Sequence, residues 1–142
     1  MFLLDTDHVV ISQQQSMPEY DHLIQRVRQQ DSSLFFVSVI SFHEQVMGWN
    51  GYISRAKDLS GVVRGYERLQ RVLSNFSEAQ VLAFDDAAAD LFEDLRKRRV
   101  RIGTMDLRIA AIALSRDMTV LSRNIADFNK VPGLKVQDWT VP

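Results

Sequence analysis

The amino-acid sequence predicts an α/β fold, with a mostly parallel central sheet flanked by helices on both faces. Three observations carry that expectation. Short apolar strand candidates alternate with helical patterns along the whole chain. Those strand candidates are continuous apolar runs rather than apolar–polar alternations, as suits strands covered on both faces. The length of 142 residues fits one domain spanning residues 1–142. No linker, internal repeat or low-complexity tract interrupts it.

Phe2–Leu4 is an apolar run ending at Asp5 and reads as a buried strand. Thr6 is able to cap the short helix expected over His8–Ile11. Pro18 suits the first turn of the next helix, where Tyr20, Leu23, Ile24 and Val27 fall at i, i+3, i+4 and i+7. Asp31-Ser32-Ser33 is a turn signal. Leu34–Val39, rich in β-branched and aromatic residues, is the second strand. Ser41 and Glu44 have capping-box spacing, so a helix is expected to start there and to close at Gly48 and Gly51. Leu59, Val62, Tyr66, Leu69, Leu73 and Phe76 step by threes and fours, predicting one apolar stripe along about five helical turns. Gly61 and Gly65 weaken that helix by about 1 kcal/mol each relative to Ala. Val81–Phe84 is a strand candidate. Asp85 caps a helix whose inner face is Ala88, Leu91, Phe92 and Leu95. Gly103-Thr104 opens a helix over Met105–Arg116, apolar nearly all round from Ile109 to Leu114 and therefore buried. Thr119–Leu121 and Leu134–Val136 are the last strands, with Pro132-Gly133 as a turn between them.

Composition removes several classes of function. A hydrophobic share of 46% supports a packed core and excludes a disordered tail protein. The absence of cysteine excludes a disulfide scaffold, thiolate metal sites and cysteine nucleophiles, and fits a reducing cytosol. A net charge of −1 excludes a strongly basic nucleic-acid coater, though not nucleic acid as a substrate. No apolar stretch approaches the roughly 18–20 residues of a membrane span. Met1–Leu4 is cut short by Asp5 and lacks the basic start of a signal peptide. The expectation is a cytoplasmic protein without a membrane partner.

In open α/β sheets, sites form beyond the C-terminal ends of the strands. Asp5 follows the first strand and Glu44 follows the second. Asp106 lies in the first turn of the buried helix, and Asp127 follows the strand ending at Leu121. Four acids from distant parts of the chain thus map to one edge. Two carboxylates about 4 Å apart repel by roughly 4 kcal/mol at an effective dielectric near 20. Protons or a metal must balance such a cluster. Oxygen-only ligands suit Mg²⁺ or Mn²⁺ rather than zinc, and such ions serve phosphodiester hydrolysis by activating water and stabilising the leaving oxygen. Each acid also has a structural explanation: Glu44 as a capping-box partner, Asp106 as a dipole complement, Asp127 as a cap or turn residue. Asp7 is a further ligand or merely a first-turn acid. Asp85 and Asp86 read as caps alone. Joint placement, rather than any single acid, carries the functional case.

The residues at this point resemble a family. Phe2-Leu3-Leu4-Asp5-Thr6-Asp7 is similar to the opening of the PIN-domain ribonucleases, specifically the VapC-type toxins of toxin–antitoxin pairs. Ser38–Glu44 resembles their second motif, a strand leading into a helix that bears Glu. Ile102–Ala111 resembles the third. Leu121-Ser122-Arg123-Asn124, then Asp127-Phe128 and Val131-Pro132-Gly133-Leu134, resemble their C-terminal end. The four motifs occur in order across essentially the whole chain. The resemblance implies a PIN-like fold and a Mg²⁺- or Mn²⁺-dependent endoribonuclease in which a metal-activated water attacks the scissile phosphate. It implies Asp5, Glu44 and Asp106 as core metal ligands, Asp127 as a fourth acid often acting through water, and Ser122 and Asn124 as residues shaping the site. Thr6 and Asp7 are supporting candidates, and Asp7 departs from the family, which commonly has Asn there. The resemblance also implies a homodimer, an RNA substrate such as tRNA or rRNA, and a small VapB-type antitoxin that blocks the site.

Arg96, Lys97, Arg98, Arg99 and Arg101 crowd the stretch before Gly103. They suit a helix C-terminus or a phosphate-contacting patch, to which Arg108 and Arg123 would add. Arg98, Arg99, Arg101, Arg108 and Arg123 are the candidate RNA contacts. Trp49 and Trp139 read as packing residues, and His8 and His43 are left outside the catalytic set. Two other functions fit parts of the pattern. Leu4-Asp5-Thr6-Asp7 also fits a haloacid-dehalogenase-like phosphatase with Asp5 as nucleophile, although its downstream motifs cannot be placed. A non-catalytic PIN-like RNA-binding module leaves the acid cluster without a purpose.

Overall fold

The computed structural model describes residues Met1–Pro142. Its strands are β1 (Phe2–Leu4), β2 (Phe35–Ser38), β3 (Val81–Leu82), β4 (Thr119–Leu121) and β5 (Lys135–Gln137). They form one sheet in the order β3-β2-β1-β4-β5, and every pairing is parallel. The helices are α1 (Thr6–Gln14), α2 (Glu19–Val27), α3 (Val39–Ser54), α4 (Leu59–Ser77), α5 (Asp86–Lys97), α6 (Thr104–Ser115) and α7 (Ile125–Phe128).

Successive strand residues point to opposite faces of the sheet, and the core divides accordingly. Leu3 and Val120 pack with Ala88 and Leu95 of α5 and with Leu107, Ile109 and Ile112 of α6. Leu121 faces the other way, against Ile11, Leu23 and Trp139, with Leu4 beside them. Val9, Val72 and Phe76 continue that second layer beneath α4. The expectation of helices on both faces of a parallel sheet holds. Residues Ile109–Ala113 are fully buried, as the all-round apolar character of that segment requires.

Several boundaries differ from the sequence expectation. The second strand ends at Ser38 and does not reach Val39, because Ser38 is the N-cap of α3 and its side chain accepts from the Ser41 N–H. Leu34 belongs to a short 3₁₀ turn over Ser32–Leu34. Ser41 is therefore inside the helix, and Glu44 is not a capping-box partner. Gly48 and Gly51 do not close α3, which continues to Ser54. The first helix is longer than His8–Ile11, and Asp5 rather than Thr6 caps it. Pro18 sits just before α2, at its N-cap. The third strand is Val81–Leu82 rather than Val81–Phe84, and the last shifts by one residue to Lys135–Gln137. The apolar stripe of α4 is split. Gly61, Gly65, Val72 and Phe76 face inward, whereas Leu59, Tyr66 and Leu73 are exposed. The glycines turn the helix, because a Cβ at Gly65 would collide with Ile53 of α3. Close approach along that row, rather than apolar content alone, decides which face packs.

The topology places the site. From central β1 the chain runs to β2 and β3 on one side, then crosses to β4 and β5 on the other. Such a switch opens a crevice at the C-terminal ends of the strands. Register pairs Leu4 with Leu121, so the next residues, Asp5 and Ser122, stand side by side at the mouth of that crevice.

Candidate active site

Asp5 leaves β1 and caps α1. Its Oδ1 accepts from the Thr6 N–H at 2.8 Å and its Oδ2 from the Ser122 hydroxyl at 2.7 Å. The residue is only 6% exposed. Burial pushes its carboxyl up to about 7; Asp7 and Asp106 add charge repulsion, and the hydrogen bonds from Ser122 and Thr6 oppose the rise. Thr6 turns its hydroxyl to α3, donating to Glu44 Oε1 at 2.9 Å, with Ser41 Oγ at 3.0 Å. With its capping role gone, Glu44 is held from α1 and faces the same crevice.

Asn124 joins the other two acids. Its Nδ2 donates to Asp106 Oδ2 at 3.3 Å and to Asp127 Oδ2 at 3.1 Å. Its backbone N–H donates to Ser122 Oγ at 2.9 Å, so the residues that hold Asp5 and Asp106 belong to one loop. Burial raises the Asp106 carboxyl above its usual range, and repulsion from Glu44 and Asp127 adds to it. Asp127, at the rim, is held below its usual range by Asn124 and then by Lys130.

Asp7 behaves differently from its neighbours. Oδ1 accepts from His8 Nδ1 at 2.7 Å and Oδ2 from the Arg123 N–H at 2.9 Å. Burial opposes its ionisation, but the bonds from His8 and Arg123 outweigh it and keep its carboxyl below the ordinary range. His8 itself is fully buried, and both of its ring nitrogens are hydrogen-bonded. A lone histidine in a helix's first turn carries no sequence signal that separates such a role from plain packing.

A groove of about 870 Å³ opens beside Asp127 and is lined by Arg96, Arg99, Arg101 and Arg108 together with Phe92 and Gly103. Arg96 and Arg108 lie over the Phe92 ring, 5.7 and 5.9 Å from its centroid. Arg98 does not line this groove; it pairs along the exposed side of α5 with Asp94 at 3.5 Å. Arg123 is exposed outside the groove. Trp139 packs against Phe2 and Phe35, and Trp49 against Tyr52.

The site is thus oxygen-rich and acidic, with a basic groove at its lip. No three of its acids or histidines close into a ready-made metal cage. Mg²⁺ is commonly held by only one or two carboxylates, with waters and substrate phosphates filling the octahedron. An acid cluster whose buried members resist ionisation fits such a cation.

No family model matches the chain. Individual proteins do. The chain is 27% identical over 142 residues to the tRNA(fMet)-specific endonuclease VapC of Salmonella typhimurium, covering 97% of each chain. Among solved structures, DNA-bound VapBC from Salmonella typhimurium matches with a TM-score of 0.72 and 26% identity, over 97% of each chain. VapBC-1 from nontypeable Haemophilus influenzae matches with a TM-score of 0.75 and 23% identity, over 99% of this chain and 98% of that one, a likeness of fold.

Proposed function

We propose, from the likeness to the Salmonella VapC endonuclease and VapBC structures, that residues 1–142 act as one VapC-type, divalent-metal-dependent endoribonuclease domain. One observation carries the site assignment. The carboxylates of Asp5, Glu44, Asp106 and Asp127 converge through Thr6, Ser122 and Asn124 on the switch-point crevice. Mg²⁺ or Mn²⁺, when bound there, offsets the carboxylate charge, acidifies water for attack on the phosphate and stabilises the leaving oxygen. Asp5, Glu44 and Asp106 would hold it, with Asp127 at the rim.

The chain's own residues do the rest. Ser122 fixes one Asp5 oxygen, and Asn124 spaces Asp106 from Asp127. Thr6 aims Glu44 inward. Arg99, Arg101 and Arg108 supply phosphate contacts along the groove, which position RNA without reading its sequence. The Salmonella relative's name makes tRNA the first substrate to test. The VapBC complexes make a small antitoxin the partner to seek by co-purification. A homodimer follows from the family resemblance and is checked by light scattering.

The deciding assay incubates tRNA and total RNA with the protein and Mg²⁺ or Mn²⁺, then repeats it with EDTA and with Asp5→Asn. Cleavage is expected to require the metal and to vanish in the variant. Cleavage that survives both controls overturns the proposal.

A further inference from the structure

Asp7 is the position where the chain departs from the family pattern, and its surroundings give it a definite task. His8 Nε2 lies 3.2 Å from the backbone nitrogen of Trp139. A backbone N–H only donates, so Nε2 must present its lone pair. The ring proton of neutral His8 then sits on Nδ1, where it meets Asp7 Oδ1 at 2.7 Å. The nearby Asp138 Oδ1, 3.7 Å from Nε2, is already engaged by the Thr140 N–H at 2.8 Å and the Thr140 hydroxyl at 2.6 Å. The other Asp7 oxygen takes the Arg123 N–H, in the loop between Ser122 and Asn124. A continuous chain of hydrogen bonds therefore joins the C-terminal tail to the loop that orients Asp5 and Asp106, with Asp7 accepting from both sides. The tail is itself pinned by His22, whose ring bonds Thr140 O, and by Arg26, which donates to Asp138 O and Val141 O.

We propose that His8 and Asp7 form a strut between the C-terminal tail and the Ser122–Asn124 loop, so that His8 is a positioning residue for the site and Asp7 stands outside the metal ligands. Both Asp7 oxygens accept from donors of the strut, Oδ1 from the His8 ring and Oδ2 from the Arg123 N–H. Asn at this position would turn an amide N–H₂ toward either Arg123 N–H or His8 Nδ1–H, two donors face to face. Asp at position 7 and His at position 8 are thus matched to each other. The effect on cleavage rests on the ribonuclease proposal above; the strut itself does not.

Imidazole ¹⁵N spectra of the full chain test the strut directly. The expected signature is a protonated Nδ1 and a bare Nε2, with a Trp139 amide that exchanges slowly; a proton on Nε2 overturns it. Two substitutions divide the ring's two bonds. His8→Asn keeps an amide donor near the Nδ1 position, whereas His8→Gln keeps an acceptor near Nε2 and loses the donor to Asp7. His8→Gln is expected to lower kcat about tenfold or more with KM little changed, and His8→Asn to recover most of that loss. A kcat for His8→Gln equal to the parent's overturns the positioning role. Mn²⁺ titration by calorimetry tests the second half. Asp7→Asn is expected to keep the parent's Mn²⁺ affinity within about threefold, and a loss of about tenfold, the scale of a lost ligand or partner, makes Asp7 a ligand. A parent that cleaves no RNA fails the ribonuclease proposal alone, since the ring spectra still decide the strut even if His8→Gln does not fold.

Discussion

The Asp5 carboxyl sets the charge state of the site, and its buried position makes that state depend on pH. Its pKa is raised from 3.8 to about 7, chiefly by burial and then by Asp7, with Asp106 adding less. A carboxyl raised on folding binds its proton more tightly in the native chain than in the unfolded one. Its contribution is therefore full below about pH 4 and is lost as pH rises through 7. Thermal unfolding in EDTA should accordingly show the midpoint falling between pH 4 and 7. Asp5→Asn, which carries no charge, should flatten that fall. An unchanged profile in the variant would assign the slope to another group. At this scale the acids were legible through their joint placement at one edge of the sheet rather than one by one, since each also has a structural explanation. His8 was not legible, because its role depends on Trp139, which lies 131 residues away in sequence.

At the scale of elements, α3 and α4 show where local pattern fails. Ser38 and Ser41 both present a capping hydroxyl three residues before a polar or helical position, and sequence alone does not choose between them. The strand decides: β2 runs to Ser38, so the chain enters the helix there and Glu44 moves from cap partner to crevice. Gly48, Gly51 and Gly65 likewise look alike in sequence yet differ in surroundings. A Cβ at Gly65 would meet Ile53 and, at 3.1 Å, Tyr52 Cδ1, while one at Gly48 meets nothing within 4 Å. Ile53 is β-branched and stiff at χ1, so it yields little. Gly65→Ala is expected to destabilise the protein by about 1–2 kcal/mol, overpacking outweighing the gain in helix propensity. Gly48→Ala, on an exposed helical position, is expected to stabilise by up to about 1 kcal/mol. Urea midpoints of the two variants should move in opposite directions; a shared direction would mean that α4 does not depend on its close approach to α3. The long helix was legible from its periodicity, but its buried face was not, because small residues that permit contact leave no hydrophobic signal.

For the whole molecule, the near-neutral charge resolves into two regions. With Asp5, Glu44, Asp106 and Asp127 offset by a cation, the basic residues outnumber the remaining acids by three. Arg96, Arg99, Arg101 and Arg108 gather on the groove beside Asp127. Such an arrangement attracts a polyanion to one place without making the surface generally sticky. RNA bound through that groove, as proposed, would release counterions, so KM should rise with salt while kcat changes little. Single strands release about 0.7 ions per neutralised phosphate, and each Arg that contacts a phosphate carries a similar share of the log–log slope. Arg101→Ala is expected to raise KM and lower that slope by about one such share. Lys135 provides the contrast: it opens β5 at the opposite end of the sheet and pairs with Asp117 at 3.6 Å. Lys135→Ala should leave both quantities where they are. Salt titrations of cleavage by the parent and the two variants measure all three slopes. Equal slopes for Arg101→Ala and the parent would remove the groove from the RNA path and leave the acidic crevice to bind its substrate by some other face.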